Sequence, residues 1–233
     1  KGGVNPATGN FSFTCTDISI PAHGFQINIS RTYNSKDDKS SHFGRGWTFG
    51  FEGKLQGTAN ISVTLPNGSV QTFRKNASGI YEAQDSRSTL VRNADNTFTL
   101  TTKDQYSYGF NTSGWLYWMK DRNGNTVSIN VDSNGKVQSI TDTVGRMYNI
   151  SYGANGMISS ITDPLGRVVG YEYDSGNRLI RAIDPMGGIM RYGYDSSGYL
   201  NEINDHYENV IENIIYSHES GDNKDKVKQA TDA

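Results

Sequence analysis

The sequence predicts an all-β protein whose second half consists of antiparallel β-hairpins, and three observations support this fold class. Of 233 residues, 26 are Gly, 14 are Tyr and only 34% are hydrophobic, which is typical of many short strands joined by turns. A 21-residue period runs through residues 108–212. Clusters of Asn, Asp and Gly separate the periodic apolar positions, as hairpin turns require.

The period is set by two series of residues. Tyr171 and Tyr192 stand 21 residues apart, as do Tyr173 and Tyr194, and five units begin at residues 108, 129, 150, 171 and 192. An aspartate recurs with the same spacing, followed three residues later by glycine in the first four cases. These turn residues are Asp121, Asp142, Asp163, Asp184 and Asp205, with Gly124, Gly145, Gly166 and Gly187. Five units in one register indicate a repeat array.

The first strand of each unit is predicted from alternation. Val169, Tyr171 and Tyr173 are large, whereas the residues between them are small or polar, so one face of the strand is apolar. Stacked units are expected to place Tyr171 beside Tyr192 and Tyr173 beside Tyr194 on neighbouring strands. Such aromatic pairs stabilise neighbouring strands by about 0.2–1 kcal/mol each. Because each repeat is stabilised by its neighbours, we interpret the array as a structural scaffold.

A second, shorter strand is predicted with apolar positions three residues apart, as in Val137 and Ile140. This spacing departs from alternation, and we expect the first residue of each pair to pack back over the turn. The segments Asp163-Pro-Leu-Gly166 and Asp184-Pro-Met-Gly187 then close their units. Proline restricts φ early in such a turn, and glycine accepts positive φ later.

The chain divides into three predicted regions. Residues 1–107 lack the period but contain strand-like segments and a hairpin signal, Pro66-Asn-Gly68. Residues 108–212 hold the five repeats. Residues 213–233 lose the pattern, and the polar segment after His218 is expected to be a poorly ordered cut end. The strands predicted in the first region are 17–20, 25–29, 61–65 and 97–100.

The segment Phe43-Gly-Arg45-Gly-Trp47 suits a close approach of Arg45 to an aromatic ring, because the flanking glycines tolerate tight turns. Such a cation–π contact contributes about 0.5–2 kcal/mol. We interpret Arg45 and Trp47 as a structural corner in preference to a binding site.

Several segments together resemble the opening part of bacterial Rhs and wall-associated proteins, and the repeats look like the YD repeats of that family. Toxin-complex shells and teneurins share these repeats. The segments that carry the resemblance are 4–10, 17–21, 31–35 and 43–47, together with Tyr171-Glu-Tyr-Asp174, Asn177-Arg-Leu179 and Asp163-Pro-Leu-Gly-Arg167.

The resemblance implies a β-sheet strip that spirals into a hollow shell around a toxic C-terminal domain, in proteins that are secreted or attached to the cell wall. This chain would be an arc of that shell, and its partners would be the rest of the shell and the enclosed toxin domain. Self-cleaving members use acidic residues near the C-terminal end of the shell. No such segment follows the repeats here, so we expect a structural module and no enzyme.

Other chemistry finds little support in the sequence. The net charge of −2 argues against nucleic-acid binding, and no apolar stretch is long enough to insert into a membrane. One cysteine, Cys15, excludes thiolate metal clusters. The four histidines, which lack metal-ligand spacing, are His23, His42, His206 and His218. We therefore expect no metal and no cofactor.

A calcium loop is a weak alternative around Asp121, Asn123 and Asn125, because Thr126 stands where such a loop needs glycine. The repeat already accounts for Asp121 as a turn residue.

The aromatic run Trp115-Leu-Tyr117-Trp118 departs from the repeat and has two interpretations. The favoured one is packing, because Trp and Tyr bury large areas. The alternative is a carbohydrate or cell-wall binding module, in which Trp115, Tyr117 and Trp118 stack against a cell-surface glycan. A polysaccharide-cleaving enzyme ranks third.

Overall fold

A computed structural model describes residues 2–22, 27–84, 87–218 and 225–232 of the chain. In this part of the chain the regular elements are all strands, and no helix is present that could cross a membrane. The strands are β1 Gly2–Asn5, β2 Asn10–Ile20, β3 Ile27–Asn34, β4 Ser40–Ser41, β5 Gly44–Arg45, β6 Trp47–Phe49, β7 Lys54–Gly57, β8 Asn60–Thr64, β9 Val70–Lys75, β10 Tyr81–Ala83, β11 Thr89–Arg92, β12 Phe98–Thr101, β13 Ser107–Phe110, β14 Leu116–Lys120, β15 Thr126–Val131, β16 Val137–Thr141, β17 Met147–Tyr152, β18 Ile158–Thr162, β19 Val168–Tyr173, β20 Leu179–Ile183, β21 Ile189–Tyr194, β22 Leu200–Asn204, β23 Val210–Ser217 and β24 Lys226–Asp232.

The chain forms two compact units. Unit 1 comprises Lys1–Ile18, Ile29–Phe49 and Ser151–Ala233, and unit 2 comprises Ser19–Asn28 and Gly50–Ile150. In unit 2, the strands from β7 to β17 pair antiparallel, each with the next along the chain.

Unit 1 contains a second ladder of successive antiparallel strands from β18 to β24. It also contains a four-stranded sheet in the order β1-β2-β3-β6 and the small pair β4 and β5. The predicted all-β fold of antiparallel hairpins is confirmed. The predicted boundary between residues 107 and 108 marks the point where the 21-residue period begins. Strand pairing does not test this boundary, so it stays a prediction.

A β-bulge explains the three-residue spacing in the second strand of each repeat. Asn130 pairs with Ser139, but the next residue, Val131, pairs with Val137, so one extra residue lies in β16. The same shift recurs at Glu172/Tyr173 and Gly193/Tyr194. Because of the bulge, Val137 lies on the same buried face of the strand as Ile140. The bulge accounts for the spacing of Val137 and Ile140 within the predicted strand, and the packing of Val137 over the turn stays a prediction.

The repeat turns share one hydrogen-bond pattern. One carboxylate oxygen of Asp163 accepts from the backbone N–H groups of Leu165 and Arg167, both at 2.9 Å. Gly166 adopts φ 79° and donates its N–H to the carbonyl of Asp163. A Cβ at Gly166 would meet no atom within 4 Å, so glycine is needed here for its positive φ and not for space. Asp184 and Gly187 repeat the arrangement.

Tyr171 and Tyr192 do not lie on neighbouring strands, contrary to the sequence-based expectation. Tyr171 of β19 pairs with Ala182 of β20, and Ala182 pairs in turn with Met190 of β21. Because each unit is a hairpin, the second strand of one unit separates the first strands of two successive units.

The end of the chain also differs from expectation. Residues 226–232 form β24 on β23, where backbone pairing does not require apolar side chains, so the expected disorder is wrong for these residues. The repeat pattern continues into β23, but its positions come one residue later than the 21-residue period predicts. The reason is a bulge between Ile203 and Asn204, which leaves one extra residue in β23. Tyr216 there corresponds to Tyr194.

The other predicted strands mostly lie where expected. Segment 17–20 falls in β2, 61–65 overlaps β8, and 97–100 overlaps β12, while Pro66 and Gly68 lie in the turn between β8 and β9. Residues 25 and 26 of the predicted strand 25–29 lie outside the described residues.

Candidate functional site

Two charged residues occupy the apolar face of the N-terminal strands in unit 1. Along β3, Ile29, Arg31 and Tyr33 alternate with more exposed residues, and all three are buried. Along β2, Asp17 follows Phe13 in the same alternation. A strand that directs a charge into the core needs a partner for it, because an unpaired buried charge is very costly.

Arg31 and Asp17 supply that partnership to each other. Nε of Arg31 lies 2.7 Å from Oδ2 of Asp17, and Nη2 lies 3.0 Å from Oδ1, so the ion pair is bidentate. The third guanidinium nitrogen, Nη1, donates to the hydroxyl of Tyr192 at 2.7 Å. The hydroxyl of Tyr171 donates to Oδ2 of Asp17 at 2.7 Å. The N-terminal segment thus contacts the first tyrosine of two successive repeats.

Three aromatic rings surround the guanidinium. Its carbon lies 5.4 Å from the ring centroid of Trp47, 5.5 Å from that of Tyr171 and 5.1 Å from that of Tyr192. The Arg31 side chain is fully buried. Cation–π contacts strengthen when the cation is desolvated, as it is here. We call Arg31, Asp17, Trp47, Tyr171 and Tyr192 the Arg31 cluster.

Burial and the neighbouring charges shift the pKa values of Tyr171, Tyr192, Arg31 and Cys15 upward. Burial and the neighbouring Asp17 raise the pKa of Tyr171 well above its ordinary value, and burial also raises the pKa of Tyr192. Burial opposes the charge of Arg31, but Tyr192 and Asp17 hold its pKa well above the ordinary value. Burial raises the pKa of the adjacent Cys15 thiol to about 11, so little reactive thiolate forms near neutrality. The hydrogen bonds and ring contacts of the cluster therefore hold the N-terminal strands against the repeats.

The second tyrosine of each repeat in unit 1 makes a different contact, a hydrogen bond from its hydroxyl to a backbone carbonyl. The hydroxyl of Tyr173 donates to the carbonyl of Ile158 at 2.8 Å, and Tyr194 donates to Leu179 at 2.8 Å. Tyr216 makes the same bond to Leu200 at 2.9 Å. Each of these tyrosines ties its unit to the preceding one.

The predicted corner residues lie in the same unit but in different environments. Arg45 is half exposed, lies 5.4 Å from the ring centroid of Tyr199 and pairs with exposed Asp38 at 3.0 Å. Trp47 is buried and donates its indole N–H to the Tyr194 hydroxyl at 3.0 Å. A Cβ on Gly46 would lie 2.7 Å from the Tyr33 ring, so this corner needs glycine for close packing as well as for its φ of 77°.

The aromatic run in unit 2 does not form one surface. Trp115 lies against Gly135, where a Cβ would be 2.5 Å from its ring, and Nζ of Lys54 lies 4.1 Å from the ring centroid. Tyr117 and Trp118 are half-buried and line a shallow hollow of about 360 Å³. The other lining residues are Lys120, Thr126, Ser128, Ile129, Asn130 and Thr141.

Potential metal ligands are committed to turns or scattered. One carboxylate oxygen of Asp121 accepts from the N–H groups of Asn123 and Asn125, at 2.8 and 2.9 Å, which accounts for the calcium-like spacing as turn chemistry. Across the described ranges, no three His, Cys, Asp or Glu side chains are grouped so as to hold a metal ion.

The histidines are placed separately. His42 packs edge-on to Tyr152, with ring centroids 5.4 Å apart. The His206 ring lies 3.7 Å from that of Tyr207, and His218 bridges the carboxylates of Asp195 and Asp225. His23 lies outside the described residues.

Sequence reasoning did not assign a site role to Arg31 or Asp17. A signal was present, because each charge falls on the apolar phase of a strand pattern. Two opposite charges on the buried faces of successive strands would have indicated a buried ion pair.

Comparison with known proteins gives two family matches. Residues 1–73 match a family described as "Domain of unknown function (DUF6531)", and residues 152–189 match the RHS Repeat family. Curated relatives include "tRNA nuclease WapA" of Bacillus subtilis (strain 168) and "tRNA(Glu)-specific nuclease WapA" of Bacillus subtilis subsp. natto. Each is 32% identical over 115 residues, which is 49% of this chain. The chain spans only 5% of the length of these relatives.

Solved structures of toxin complexes are similar at low identity. A TcdB2-TccC3 structure without its hypervariable C-terminal region has a TM-score of 0.38 and 14% identity, over 89% of this chain and 12% of that one. A Photorhabdus luminescens Tc holotoxin pore has a TM-score of 0.30 and 13% identity, over 97% and 15%. At such scores the fold assignment rests on the strand pairing of the chain itself. The predicted resemblance to the Rhs/YD-repeat family is confirmed by the RHS repeat at residues 152–189, by the match of residues 1–73 and by the similarity to the WapA nucleases.

Proposed function

We propose that this chain is a non-catalytic structural module of a secreted or wall-attached bacterial toxin, in which the repeats form part of a shell wall around a C-terminal toxin domain. One observation carries the proposal: the repeated polar side chains are used inside the fold. Turn aspartates such as Asp163 accept backbone N–H groups, and the second tyrosines bond the preceding unit. Few polar groups at repeat positions remain to act on a substrate.

The Arg31 cluster gives the N-terminal segment a defined part in this module. Arg31 and Asp17 bond the hydroxyls of Tyr192 and Tyr171, which belong to two different repeats. A buried bidentate pair requires a narrow range of geometries. We infer that the segment fixes the spacing of these two repeats and so completes the wall in unit 1.

We assign the nuclease activity named for the relatives to the enclosed domain and not to this module. These relatives are about ten times longer than the chain, because the 115 matched residues cover 5% of them. We expect the isolated chain to cleave neither tRNA nor polysaccharides, and secretion to place the complete gene product outside the cell or in the wall fraction. Turnover by the isolated chain that is lost when its turn aspartates are replaced by asparagine would contradict the proposal.

Limited proteolysis of the complete gene product tests enclosure. We expect the domain after the repeats to resist protease in the native protein and to become cleavable in an Asp17→Ala variant, because loss of the ion pair loosens the wall. Asp38→Ala is the matched control, since its carboxylate pairs with Arg45 at the exposed surface. Equal protease sensitivity of the C-terminal domain in native and Asp17→Ala protein would refute enclosure by this module.

A second candidate function, carbohydrate binding, is favoured by the hollow beside Tyr117 and Trp118. Trp118 lies across from Gly109, where a Cβ would be 2.0 Å from the indole nitrogen, so its ring rests on bare backbone. Hydroxyl and amide groups of Ser128 and Asn130 line the same hollow. An aromatic surface beside a few polar groups is typical of small-molecule sites, and a sugar ring could stack on it.

Pull-down on purified cell wall, followed by titration with soluble wall oligosaccharides, tests this candidate. Trp118→Ala is expected to weaken binding at least about fivefold, since an aromatic platform contributes roughly 1–3 kcal/mol. Tyr207→Ala is the control, because Tyr207 is exposed and lies in unit 1. Absence of binding by the native chain, or equal losses in both variants, would eliminate the sugar site.

A further inference from the structure

A second and larger hollow lies in unit 2, where several turns and strand ends meet. Its volume is about 650 Å³, within the range of small-molecule sites. The turns after β7, β11 and β13 and the end of β9 contribute to it. The lining residues are Lys54, Leu55, Gln56, Gly57, Thr58, Ala59, Lys75, Tyr81, Arg92, Asn96, Phe98, Thr112, Ser113 and Gly114. Three of them are cationic and none is acidic.

Neutral groups hold the two lysines in place. Nζ of Lys54 lies 4.1 Å from the ring centroid of Trp115, and Nζ of Lys75 lies 5.7 Å from that of Tyr81. Tyr81 is itself fixed, because it is buried and its hydroxyl donates to the carbonyl of Thr58 at 3.2 Å. A cation–π contact orients an ammonium group without cancelling its charge.

The third cation, Arg92, is also held by a neutral partner. Its Nη2 donates to the side-chain carbonyl of Asn96 at 2.8 Å. Asp95, in the same turn, does not line the hollow, and its carboxylate accepts from the backbone and hydroxyl of Thr97 at 3.0 and 2.7 Å. Arg92 therefore keeps most of its donors for another group.

This arrangement contrasts with the arginines of the repeat turns. Arg146, Arg167 and Arg178 each place Nε 2.6 Å from an aspartate four residues earlier. Among the described residues, none of the three cations of the hollow has a carboxylate within ion-pair distance. Three uncompensated cations around one concave space make it positively charged, whereas the chain as a whole has a net charge of −2.

From this we propose that the hollow lined by Lys54, Lys75 and Arg92 binds a ligand that carries phosphate groups. Lysines act on phosphate as point charges, and the guanidinium of Arg92 provides a fork of donors for its oxygens. The hydroxyls of Thr112 and Ser113 in the lining add neutral donors. The local charge favours a small or terminal phosphate group over a long polyanion, because the rest of the protein does not attract one.

Isothermal titration of the chain with inorganic pyrophosphate at low salt tests the proposal. We expect saturable binding that weakens as salt is raised, because exposed charges are screened. The double variant Lys75→Gln/Arg92→Gln is expected to lose at least about tenfold in affinity, since hydrogen bonds to charged groups are the stronger ones. Both side chains are exposed, so thermal unfolding should be unchanged.

The matched control is Lys103→Gln/Arg122→Gln, which removes the same charges from exposed positions of unit 2 that do not line the hollow. Its affinity for pyrophosphate should equal that of the native chain. A sugar phosphate and a short single-stranded RNA are titrated in parallel to distinguish sources of phosphate. No pyrophosphate binding, equal losses in the two double variants, or RNA binding more than tenfold tighter than that of both phosphate probes would overturn the proposal.

Discussion

The repeat that contains Tyr171, in unit 1, and the repeat that contains Ile129, in unit 2, use the same hairpin for different interiors. Both residues occupy the same position of the 21-residue period, and both are buried. Both hairpins carry a bulge at the same place, between Glu172 and Tyr173 or between Asn130 and Val131. The backbone therefore does not decide between tyrosine and isoleucine.

The difference follows from what meets each residue. A buried tyrosine hydroxyl requires a hydrogen-bond partner, and Tyr171 and Tyr192 find theirs in Asp17 and Arg31. The side chain of Ile129 has no polar atom and needs no hydrogen-bond partner. In unit 1 the buried tyrosine hydroxyls at this phase are matched by the charged N-terminal strands, whereas the isoleucine in unit 2 needs no such partner.

Among the changes that test this comparison, Asp17→Ala is expected to lower the free energy of unfolding the most. Removing the carboxylate leaves the fully buried guanidinium of Arg31 unpaired, which costs about 3–5 kcal/mol. Urea unfolding monitored by Trp47 fluorescence, in a Trp115→Phe/Trp118→Phe background, reports on unit 1. Asp38→Ala should cost less than about 1 kcal/mol, because its ion pair is exposed.

Replacing both charges is a further check on this explanation. Arg31→Met/Asp17→Leu removes the unpaired charge and is expected to be much more stable than Asp17→Ala. If the single variant were no less stable than the double one, the buried charge would not be the cause.

The second expected effect is a loss of stability in unit 1 at alkaline pH. Burial raises the pKa of Tyr33 to about 12 and also raises those of Tyr171 and Tyr192. A tyrosine with a raised folded-state pKa stabilises the fold below its unfolded pKa of about 10, and this contribution is lost as pH rises through the folded value. Urea midpoints measured from pH 8 to 11.5 should fall above pH 10. A Tyr171→Phe/Tyr192→Phe variant should show a shallower fall, and an equal slope in both proteins would contradict this assignment.

The third prediction compares two glycines at the same phase. A Cβ on Gly109 would lie 2.0 Å from the Trp118 indole nitrogen, whereas a Cβ on Gly193 would lie 3.1 Å from the Cβ of Glu202. Gly109→Ala should displace the indole and cost about 1–3 kcal/mol through overpacking. Gly193→Ala should cost less. Thermal unfolding and the Trp118 emission maximum measure the two effects, and an unchanged emission maximum in Gly109→Ala would show that Trp118 does not rest on this glycine.

The smallest effect is expected at the turns. Asp163→Asn keeps an acceptor for the backbone N–H groups but removes the ion pair with half-exposed Arg167, so it should cost about 0.5–1 kcal/mol. Asp184→Asn should cost less, because Gly188 stands where Arg167 stands in the other turn.

The same turns make an acid-side prediction. Burial opposes the charge of Asp163, but hydrogen bonds from Arg167 and Leu165 lower its pKa overall. A lowered folded-state pKa stabilises the fold above the unfolded value and is lost as pH falls through the folded one, so the Asp163→Asn difference should shrink below about pH 4. A difference that is constant with pH would exclude the carboxylate charge as its cause.

The local features were readable from the sequence because they depend on neighbours along the chain. Alternation around Tyr171, the turn chemistry of Asp163 and Gly166, and the antiparallel hairpins all follow from side-chain period and allowed φ. The three-residue spacing of Val137 and Ile140 was visible in the sequence but its cause was not, since a bulge is a relation between two strands.

The contacts that define the candidate sites were decided only by the tertiary structure. Asp17 meets Tyr171 across 154 residues of sequence, and Arg31 meets Tyr192 across 161. Lys54, Lys75 and Arg92 share no motif and line one hollow only because their turns converge. The 21-residue period determines which face of each strand is buried, whereas the partner on that face depends on strands that fold back from distant parts of the chain, which local pattern does not encode.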